Sequence, residues 1–397
     1  MPSPSSWRAV LPTDDVDRVG FGLYVHWPFC LSKCPYCDFN SHVAERIDQK
    51  RWAAALCREV EHAGRLTGRR RLDTVFFGGG TPGLMAPETV ADILDTVRAT
   101  WPISNDWEVT LEANPTSVEA GRFAAYRQAG VNRVSLGVQS LNDADLRRLG
   151  RLHTVAEARA AFDIARSAFD RVSFDLIYAR QDQSLDAWQR ELDEALAMAI
   201  DHLSLYQLTI EPGTAFGARA AAGRLRGLPD EDLSADMYDL TLETCARVGL
   251  VPYEVSNFAR PGAESKHNML YWSAGQYAGV GPGAHGRVIL DGRRHATVCP
   301  SAPGAWIRDA EADGPAFESV EPLSGQEQAE EYLMMGLRVL RGISLSRLMD
   351  MGPDDGLADR LEQAAADGLL ETDGDRIRTT PRGRSLLNAV LRDLLLG

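Results

Sequence analysis

The sequence predicts an α/β protein, a partial (β/α)6 barrel followed by a C-terminal, mostly helical, winged-helix-like domain. Short runs rich in Val, Phe, Ile and Tyr alternate with longer amphipathic stretches, and the texture of the chain changes after about residue 300. The short runs are continuously apolar, and each is followed by a helical stretch. This pattern indicates a parallel sheet with both faces covered. Six such units predict a curved, partly closed barrel.

The elements can be located along the chain. The predicted strands are FGLYVHW, DTVFFGG, EVTLEA, NRVSLGV, VSFDLIY and LSLYQLTI. Helices are predicted between them, as in ERIDQKRWAAALCREVEHAG, APETVADILDTVRATW and SLDAWQRELDEALAMAI. In the tail, GQEQAEEYLMMGLRVLRG, SLSRLMDMG and LADRLEQAAADG predict three helices, and a hairpin is predicted around Asp373–Gly374 before a final helix.

These elements divide the chain into three parts. We expect a flexible leader over residues 1–19, the barrel over residues 20–298 and the C-terminal domain over residues 299–397. The winged-helix shape often binds DNA, but this tail mixes Arg with Asp and Glu. We therefore favour a lid or partner-docking role for it.

Composition narrows the class of protein. The 397 residues are 44% hydrophobic and 25% charged, as in a globular protein, and the net charge of −14 argues against a nucleic-acid partner. No apolar run approaches the length of a membrane span, and the first residues lack an export signal. We expect a cytoplasmic protein whose cysteines serve a metal or catalytic role rather than disulfides.

Unusual residues fall at the C-terminal ends of five predicted strands. They are Cys30, the run Gly78–Gly80, Glu112, Gln139 and Asp175. In parallel barrels the loops that follow the strands converge at this rim, where active sites are built. We expect these residues to share one site.

Three cysteines, Cys30, Cys34 and Cys37, lie within eight positions. With His42 they have the composition of a closed zinc site. Alternatively, three thiolates hold three irons of a 4Fe-4S cluster and leave the fourth iron open. An open iron can chelate the amine and carboxylate of S-adenosylmethionine (SAM), and reduction then releases a 5′-deoxyadenosyl radical. The scattered cysteines are interpreted as buried small apolar residues: Cys57, Cys245 and Cys299.

The glycines of FFGGGTPGLM follow a strand and leave room for backbone N–H groups to approach a ligand. Such a nest favours anions, and the carboxylate of SAM would fit. A tight strand-to-helix turn is the alternative explanation.

With these residues in view, the sequence resembles the radical SAM superfamily, and in particular its HemN/HemW branch. The resemblance runs from Tyr24 to about Arg287, with a weaker match in the tail. Its motifs are YVHWPFC, CPYCDF, GGGTP, EANP, GVQS, LGRLH, DLIY, YQLTIEPGT, HNMLYW and GVGPGAHG. It implies a radical SAM barrel with a 4Fe-4S cluster on the three cysteines and bound SAM.

The resemblance also implies roles for single residues. Tyr24 would flank SAM, the backbone of Tyr36 would meet the adenine, and Arg151 would pair with a carboxylate. The full set of implied SAM-binding residues is Tyr24, Tyr36, Gly79, Gly80, Thr81, Glu112, Gln139, Arg151, Asp175 and Thr209. Carboxylates and amides suit hydroxyl donors, and a guanidinium suits a carboxylate. Barrel-rim ion pairs or solvated charges are the alternative explanations.

Two features favour the HemW-type heme chaperones over the HemN-type oxygen-independent coproporphyrinogen III oxidases. The oxidases carry a further cysteine two positions after the third, where this chain has Phe39. The stretch HNMLYW matches a motif associated with heme binding, which implies a heme site at His267, Asn268, Tyr271 and Trp272. On residue chemistry alone a hydrogen-bonded structural histidine is the favoured explanation for His267. We assign no catalytic residue.

The function expected from the resemblance is therefore heme binding and transfer to acceptor proteins. Coproporphyrinogen III oxidation, or methylation or other modification of heme, remains an alternative. The implied partners are heme, an unknown acceptor protein and an electron donor such as a flavodoxin or ferredoxin, with peripheral contact to membrane proteins also open.

Overall fold

The computed structural model of the chain describes residues 20–312 and 314–396, so the predicted leader over residues 1–19 lies outside the described residues. The first elements are β1 (Phe21–Trp27), β2 (Phe29–Cys30), β3 (His42–Val43), α1 (Gln49–Thr67), β4 (Leu72–Gly79), α2 (Pro87–Thr100), β5 (Ile103–Ala113), α3 (Ser117–Ala120) and α4 (Phe123–Ala129). A 3-10 turn at Pro82–Leu84 precedes α2. The barrel continues with β6 (Arg133–Gln139), α5 (Asp143–Arg148), α6 (Val155–Ala168), β7 (Arg171–Tyr178), α7 (Leu185–Met198) and β8 (His202–Gln207).

After the barrel strands the chain adds α8 (Ala215–Ala221), α9 (Glu231–Arg247), β9 (Val251–Pro252), β10 (Asn257–Ala259), α10 (Lys266–Trp272), β11 (Gln276–Val280), β12 (His285–Leu290), β13 (Arg293–Val298), α11 (Pro303–Glu311) and β14 (Ser319–Pro322). The tail contains α12 (Gly325–Gly336), β15 (Ile343–Ser344), α13 (Leu345–Asp350), α14 (Leu357–Ala366), β16 (Leu370–Asp373), β17 (Arg376–Thr379), α15 (Pro381–Ser385) and α16 (Leu387–Leu396).

The prediction of a partial (β/α)6 barrel is confirmed. Strands β1, β4, β5, β6, β7 and β8 pair in that order, and every pair is parallel. All six predicted strands coincide with these strands. Within the described residues the sheet stays open, because it continues into β10 and β9 at one edge and into β11 to β14 at the other.

The helices cover the outer face of the sheet. On α2 the residues Val90, Ile93, Leu94 and Val97 are fully buried, at the spacing of one helical face. Each such side chain contributes about 1.5–3 kcal/mol by leaving water. Local signals set the helix starts: Asp48 accepts the backbone N–H of Arg51 at the start of α1.

The tail has the predicted arrangement of helices and a small sheet. Strands β16 and β17 form the predicted hairpin, and β15 adds to it to give the order β15-β17-β16. A second core cluster, running from Ala329 to Leu394 and including Ala274, holds this unit together.

The packing bears on where the tail begins. Helix α11 packs against α1 within the main core, and β14 pairs with β13 in the large sheet. The boundary predicted between residues 298 and 299 stays a prediction; the described packing joins α11 and β14 to the large sheet and its core. Over the described range, no helix has the length and apolarity needed to cross a membrane.

Candidate functional site

The three cysteines of the motif line one cavity at the C-terminal rim of the barrel. Cys30 ends β2 and is buried, while Cys34 and Cys37 lie in the loop before β3 and are partly exposed. The hydroxyl of Thr81 donates to Cys30 Sγ at 3.4 Å, and Arg151 Nη1 donates to Cys34 Sγ at 3.4 Å. Two of the three sulfurs therefore each accept a hydrogen bond from a side chain of the rim.

Burial raises the pKa of the Cys30 and Cys37 thiols above the ordinary value. Ionising them without a partner therefore costs free energy, and a metal centre removes that cost because a coordinating thiol is deprotonated. All six cysteines are free thiols. The possible metal ligands at this rim are thus three thiols, and none of the three forms a disulfide.

The geometry gives no support to a closed zinc site. His42 is exposed, and its Nε2 lies 3.1 Å from Asn40 Oδ1. Sulfur ligands of one tetrahedral zinc lie about 3.8 Å apart, given Zn–S distances of about 2.3 Å. Over the described part of the chain, no set of three or more His, Cys, Asp or Glu groups is arranged to hold a single metal ion. The described residues thus offer no complete ligand set for a single zinc ion.

The glycine run packs the end of β4 against the cysteine loop. A Cβ atom on Gly80 would lie 2.8 Å from Phe29 O, and Gly79 has φ +109°. Gly80 N donates to Trp27 O at 2.7 Å and Thr81 N donates to Phe29 O at 2.8 Å. The N–H groups of Gly80 and Thr81 thus join backbone to backbone, whereas the backbone of Gly79 bonds to the Glu112 carboxyl group. The role of Gly79, Gly80 and Thr81 in holding SAM stays a prediction.

Glu112 and Asp175 both line this cavity. Burial, reinforced by the neighbouring Asp175, raises the pKa of Glu112 to about 8, and burial raises the pKa of Asp175 to about 6. Ser135 Oγ donates to Asp175 Oδ1 at 3.4 Å. Two carboxyl groups held above their ordinary pKa values are typical of a site built to meet hydroxyl or ammonium groups of a ligand.

Gln139 and Arg151 complete the rim. Gln139 ends β6 with φ +70°, a strained conformation for a residue with a Cβ, and its side chain lines the cavity. Arg151 Nη2 donates to Gly137 O at 2.8 Å and to Asn114 Oδ1. Arg151 Nε is buried and has no hydrogen-bond partner in the described part of the chain. Strain and an unpartnered guanidinium N–H at one rim both indicate a ligand site.

Three of the predicted SAM-binding residues lie in different environments. Tyr36 lines the cavity and packs against Phe216, with ring centroids 6.5 Å apart. Tyr24 does not line this cavity, and its hydroxyl lies 2.9 Å from His26 Nδ1. Thr209, after β8, is exposed and also lies outside the lining. The structure brings the other predicted residues together, and the assignments of Tyr24 and Thr209 stay predictions.

A hydrogen-bonded chain that sequence reasoning missed holds the cysteine loop in place. His26 Nε2 lies 2.8 Å from Asn40 O, so this nitrogen donates and His26 Nδ1 accepts from Tyr24. Asn40 Nδ2 donates to Pro282 O and to Ser301 O, both at 2.9 Å. This chain ties the loop to the segment that follows β11. The sequence signal for this contact is the GVGPGAHG motif, which contains Pro282. The motif does not indicate that Asn40 is the residue it meets.

The four residues of the predicted heme motif lie on α10, at the opposite end of the barrel. His267 is fully buried, with Nδ1 2.8 Å from Thr74 Oγ1 and Nε2 2.7 Å from Tyr271 Oη. Thr74 is near the start of β4, whereas the cysteines follow strand ends. Burial lowers the pKa of His267 to about 3. Both ring nitrogens are occupied, so ligation of iron by His267 requires α10 to open, and the heme assignment stays a prediction.

Two parts of this chain match known protein families. A family model described as the Radical SAM superfamily matches residues 24–195, and one described as the HemN C-terminal domain matches residues 323–386. The chain belongs to the radical SAM superfamily, within its HemN/HemW branch. As expected for that superfamily, its cofactors are a 4Fe-4S cluster and SAM, and the three rim thiols and the unpartnered Nε of Arg151 fit them.

Individual relatives agree with this placement. The chain is 40% identical to the Bos taurus protein named radical S-adenosyl methionine domain-containing protein 1, mitochondrial, over 99% of this chain and 89% of that protein. It is 39% identical to a Mycobacterium tuberculosis protein named heme chaperone HemW, over 94% of this chain and 95% of that one. The solved structure of Escherichia coli coproporphyrinogen III oxidase (HemN) shares the fold, with a TM-score of 0.79, 21% identity and coverage of 99% and 93%.

Proposed function

We propose that this chain is a HemW-type heme chaperone, which binds heme and transfers it to an acceptor protein. The observation that carries the proposal is full-length similarity to proteins of that name. The Mycobacterium tuberculosis and Escherichia coli heme chaperones are 39% and 36% identical to this chain and are covered over 95% and 96% of their length.

The rim cavity supports retention of the cofactors. Cys30, Cys34 and Cys37 would hold the cluster, while Glu112, Asp175 and Arg151 would bind the polar groups of SAM. When bound, cluster and SAM supply a carbon-centred radical that can abstract hydrogen. The protein side chains bind, orient and shield these groups from water.

Coproporphyrinogen III oxidation is the second candidate, because the fold matches the Escherichia coli oxidase over nearly the whole chain. Against it stands Phe39, at the position where the resemblance places a further cysteine of the oxidases. The Phe39 side chain is 60% exposed and lines the mouth of the cavity. An apolar ring there can contact a ligand but cannot ligate a metal. Methylation or other modification of heme is a third alternative and has no specific observation in its favour.

The proposal extends to partners and location. We infer an unknown heme-acceptor protein, an electron donor such as a flavodoxin or ferredoxin, and peripheral contact with membrane proteins. We also infer a cytoplasmic location, since three cysteines that hold a cluster and three that form no disulfide suit a reducing compartment.

The test is made on anaerobically reconstituted protein. Iron, sulfide and heme are quantified on one sample, and heme transfer to an apo-acceptor is followed by absorbance. We expect about four irons and four sulfides per chain together with stoichiometric heme. In parallel, the protein is incubated with coproporphyrinogen III, SAM and a reductant. Protoporphyrinogen above background would overturn the chaperone in favour of the oxidase.

A further inference from the structure

A second cavity lies between the large sheet and the tail, away from the cysteine rim. Its volume is about 700 Å³, and we refer to it as the arginine cavity. The lining comes from the segment after α10, the β12–β13 hairpin, and the start of the tail: Ala274, Gln276, Ile289, Gly292, Arg293, Arg294, Pro322, Leu323, Ser324, Gln328, Arg347 and Met351. Three of these lining residues are arginines, and no lining residue is acidic.

The guanidinium groups of this cavity bond to backbone carbonyls or face solvent, and no described carboxylate lies within ion-pair distance of them. Arg294 donates to Ala274 O at 3.1 Å and to Gly275 O at 3.0 Å, and Arg347 donates to Ser273 O at 3.0 Å. Arg293 is exposed. Among the described residues none of the three arginines forms an ion pair. Such a concentration of positive charge is notable in a chain of net charge −14.

The carboxylate of Glu331, whose charge acts on Arg294, is already engaged. Glu331 forms a bidentate pair with Arg287, with Arg287 Nη2 to Glu331 Oε1 at 2.6 Å and Arg287 Nε to Oε1 at 2.8 Å. The cavity arginines keep a net positive charge as a result. Guanidinium groups recognise carboxylates and phosphates through paired hydrogen bonds, so the charge selects an anionic ligand.

The rest of the lining selects for an apolar body. Ile289, Leu323 and Met351 are partly buried and form an apolar wall beside the arginines. The volume lies within the range of about 300–1,000 Å³ typical of cofactor sites. A ligand that satisfies both walls has an apolar body large enough for this volume and carboxylates at one edge. Heme, with its two propionates, has that chemistry.

We propose that the arginine cavity is the heme site, with the propionates on Arg293, Arg294 and Arg347 and the macrocycle against the apolar wall. This proposal rests on the proposed heme-chaperone function and deepens it. It also gives α10 a role that needs no iron ligation by His267. The carbonyls of Ser273, Ala274 and Gly275, directly after α10, hold Arg294 and Arg347 in place. The motif helix therefore positions the residues that bind heme.

The experiment titrates the full chain, reconstituted with its cluster, with heme and with heme dimethyl ester under nitrogen, following the Soret band. The variants are Arg293→Gln and Arg294→Gln, with Arg294→Lys retaining the charge. Loss of one charge-assisted bond should raise the Kd for heme about tenfold to a hundredfold. The ester, whose propionates carry no charge, should bind the wild type more weakly by a similar factor, and the double variant Arg293→Gln/Arg294→Gln should no longer distinguish ester from heme.

Controls separate this proposal from a general loss of folding or function. Arg308→Gln changes an exposed arginine on α11, outside the arginine cavity, and should leave the heme Kd unchanged. Arg293 is exposed, so its variant should keep the melting temperature and SAM affinity of the wild type. One outcome would overturn the heme site alone. In it the wild type binds heme, the arginine variants bind heme with the same Kd, and the ester binds the wild type with the same Kd as heme. Wild type that binds no heme would overturn the proposed function as well.

Discussion

The substitution His267→Gln tests whether this imidazole is a structural part of the barrel or a group available to iron. His267 is fully buried between the hydroxyls of Thr74 and Tyr271. Glutamine has a similar length but cannot place a polar atom at both positions of the imidazole nitrogens. One hydroxyl is then left without a partner, at a cost of about 1–3 kcal/mol. We expect the free energy of unfolding at pH 8 to fall by that amount.

Acidification should close the gap between the two proteins. Burial lowers the pKa of His267 to about 3 in the folded state, against about 6.5 in the unfolded chain. Between these values the unfolded chain binds more protons, so the stability contributed by the neutral imidazole is present above about pH 6.5 and is lost as the pH falls. From pH 8 to pH 5 the wild type loses about 2 kcal/mol through this residue. The glutamine variant has no such loss, so the two unfolding free energies should nearly coincide at pH 5.

The assay is urea unfolding followed by far-UV circular dichroism at pH 8 and pH 5, on protein reconstituted in the same way. His295→Gln serves as the matched control, because the hydrogen bond between His295 Nδ1 and Arg293 O lies at the surface. An undiminished gap at pH 5 would refute the assignment of a neutral, buried imidazole. The assignment would also be refuted if the His267→Gln variant kept the stability of the wild type at pH 8 and showed a Soret change typical of a lost imidazole ligand.

Three further predictions concern the cysteine rim. Cys34→Ala should abolish the brown absorption and the bound sulfide while far-UV circular dichroism stays unchanged, since the loop is partly exposed; loss of secondary structure would contradict this. Gly80→Ala should destabilise the protein by about 1–3 kcal/mol and impair cluster assembly, because its Cβ would meet the backbone of Phe29 at 2.8 Å. Gly304→Ala, whose nearest contact is 3.8 Å away, is the control, and equal urea midpoints for the two variants would argue against the clash. Gln139→Gly should weaken SAM binding in equilibrium dialysis while removing about 1–3 kcal/mol of backbone strain, whereas unchanged SAM affinity would exclude Gln139 from the site.

Much of the barrel follows from local pattern. The six parallel strands are continuous apolar runs. Each can be predicted from its own residues, without knowing which strands lie beside it in the sheet. Cys30, Cys34 and Cys37 are equally local, because the spacing of the cysteines in one loop brings them to one cavity. The helix that begins after Asp48 carries its own cap.

The additional strands at the two sheet edges could not be predicted in this way. Strand β11 lies beside β1 although more than two hundred residues separate them, and Asn40 reaches the carbonyl of Pro282. Such contacts depend on the path of the whole chain, and no short window of sequence contains both partners.

The sequence by itself determined the family, the α/β architecture and the three thiols, since each depends on residues close together in the chain. Only the tertiary structure decided that Gly80 N–H serves the backbone, that Thr209 is exposed and that His267 is enclosed at the far end of the barrel. It also gathered Arg294 and Arg347 beside an apolar wall. The physical reason is that burial and hydrogen-bond partners are properties of the packed chain, because they are fixed when distant segments exclude water from each other.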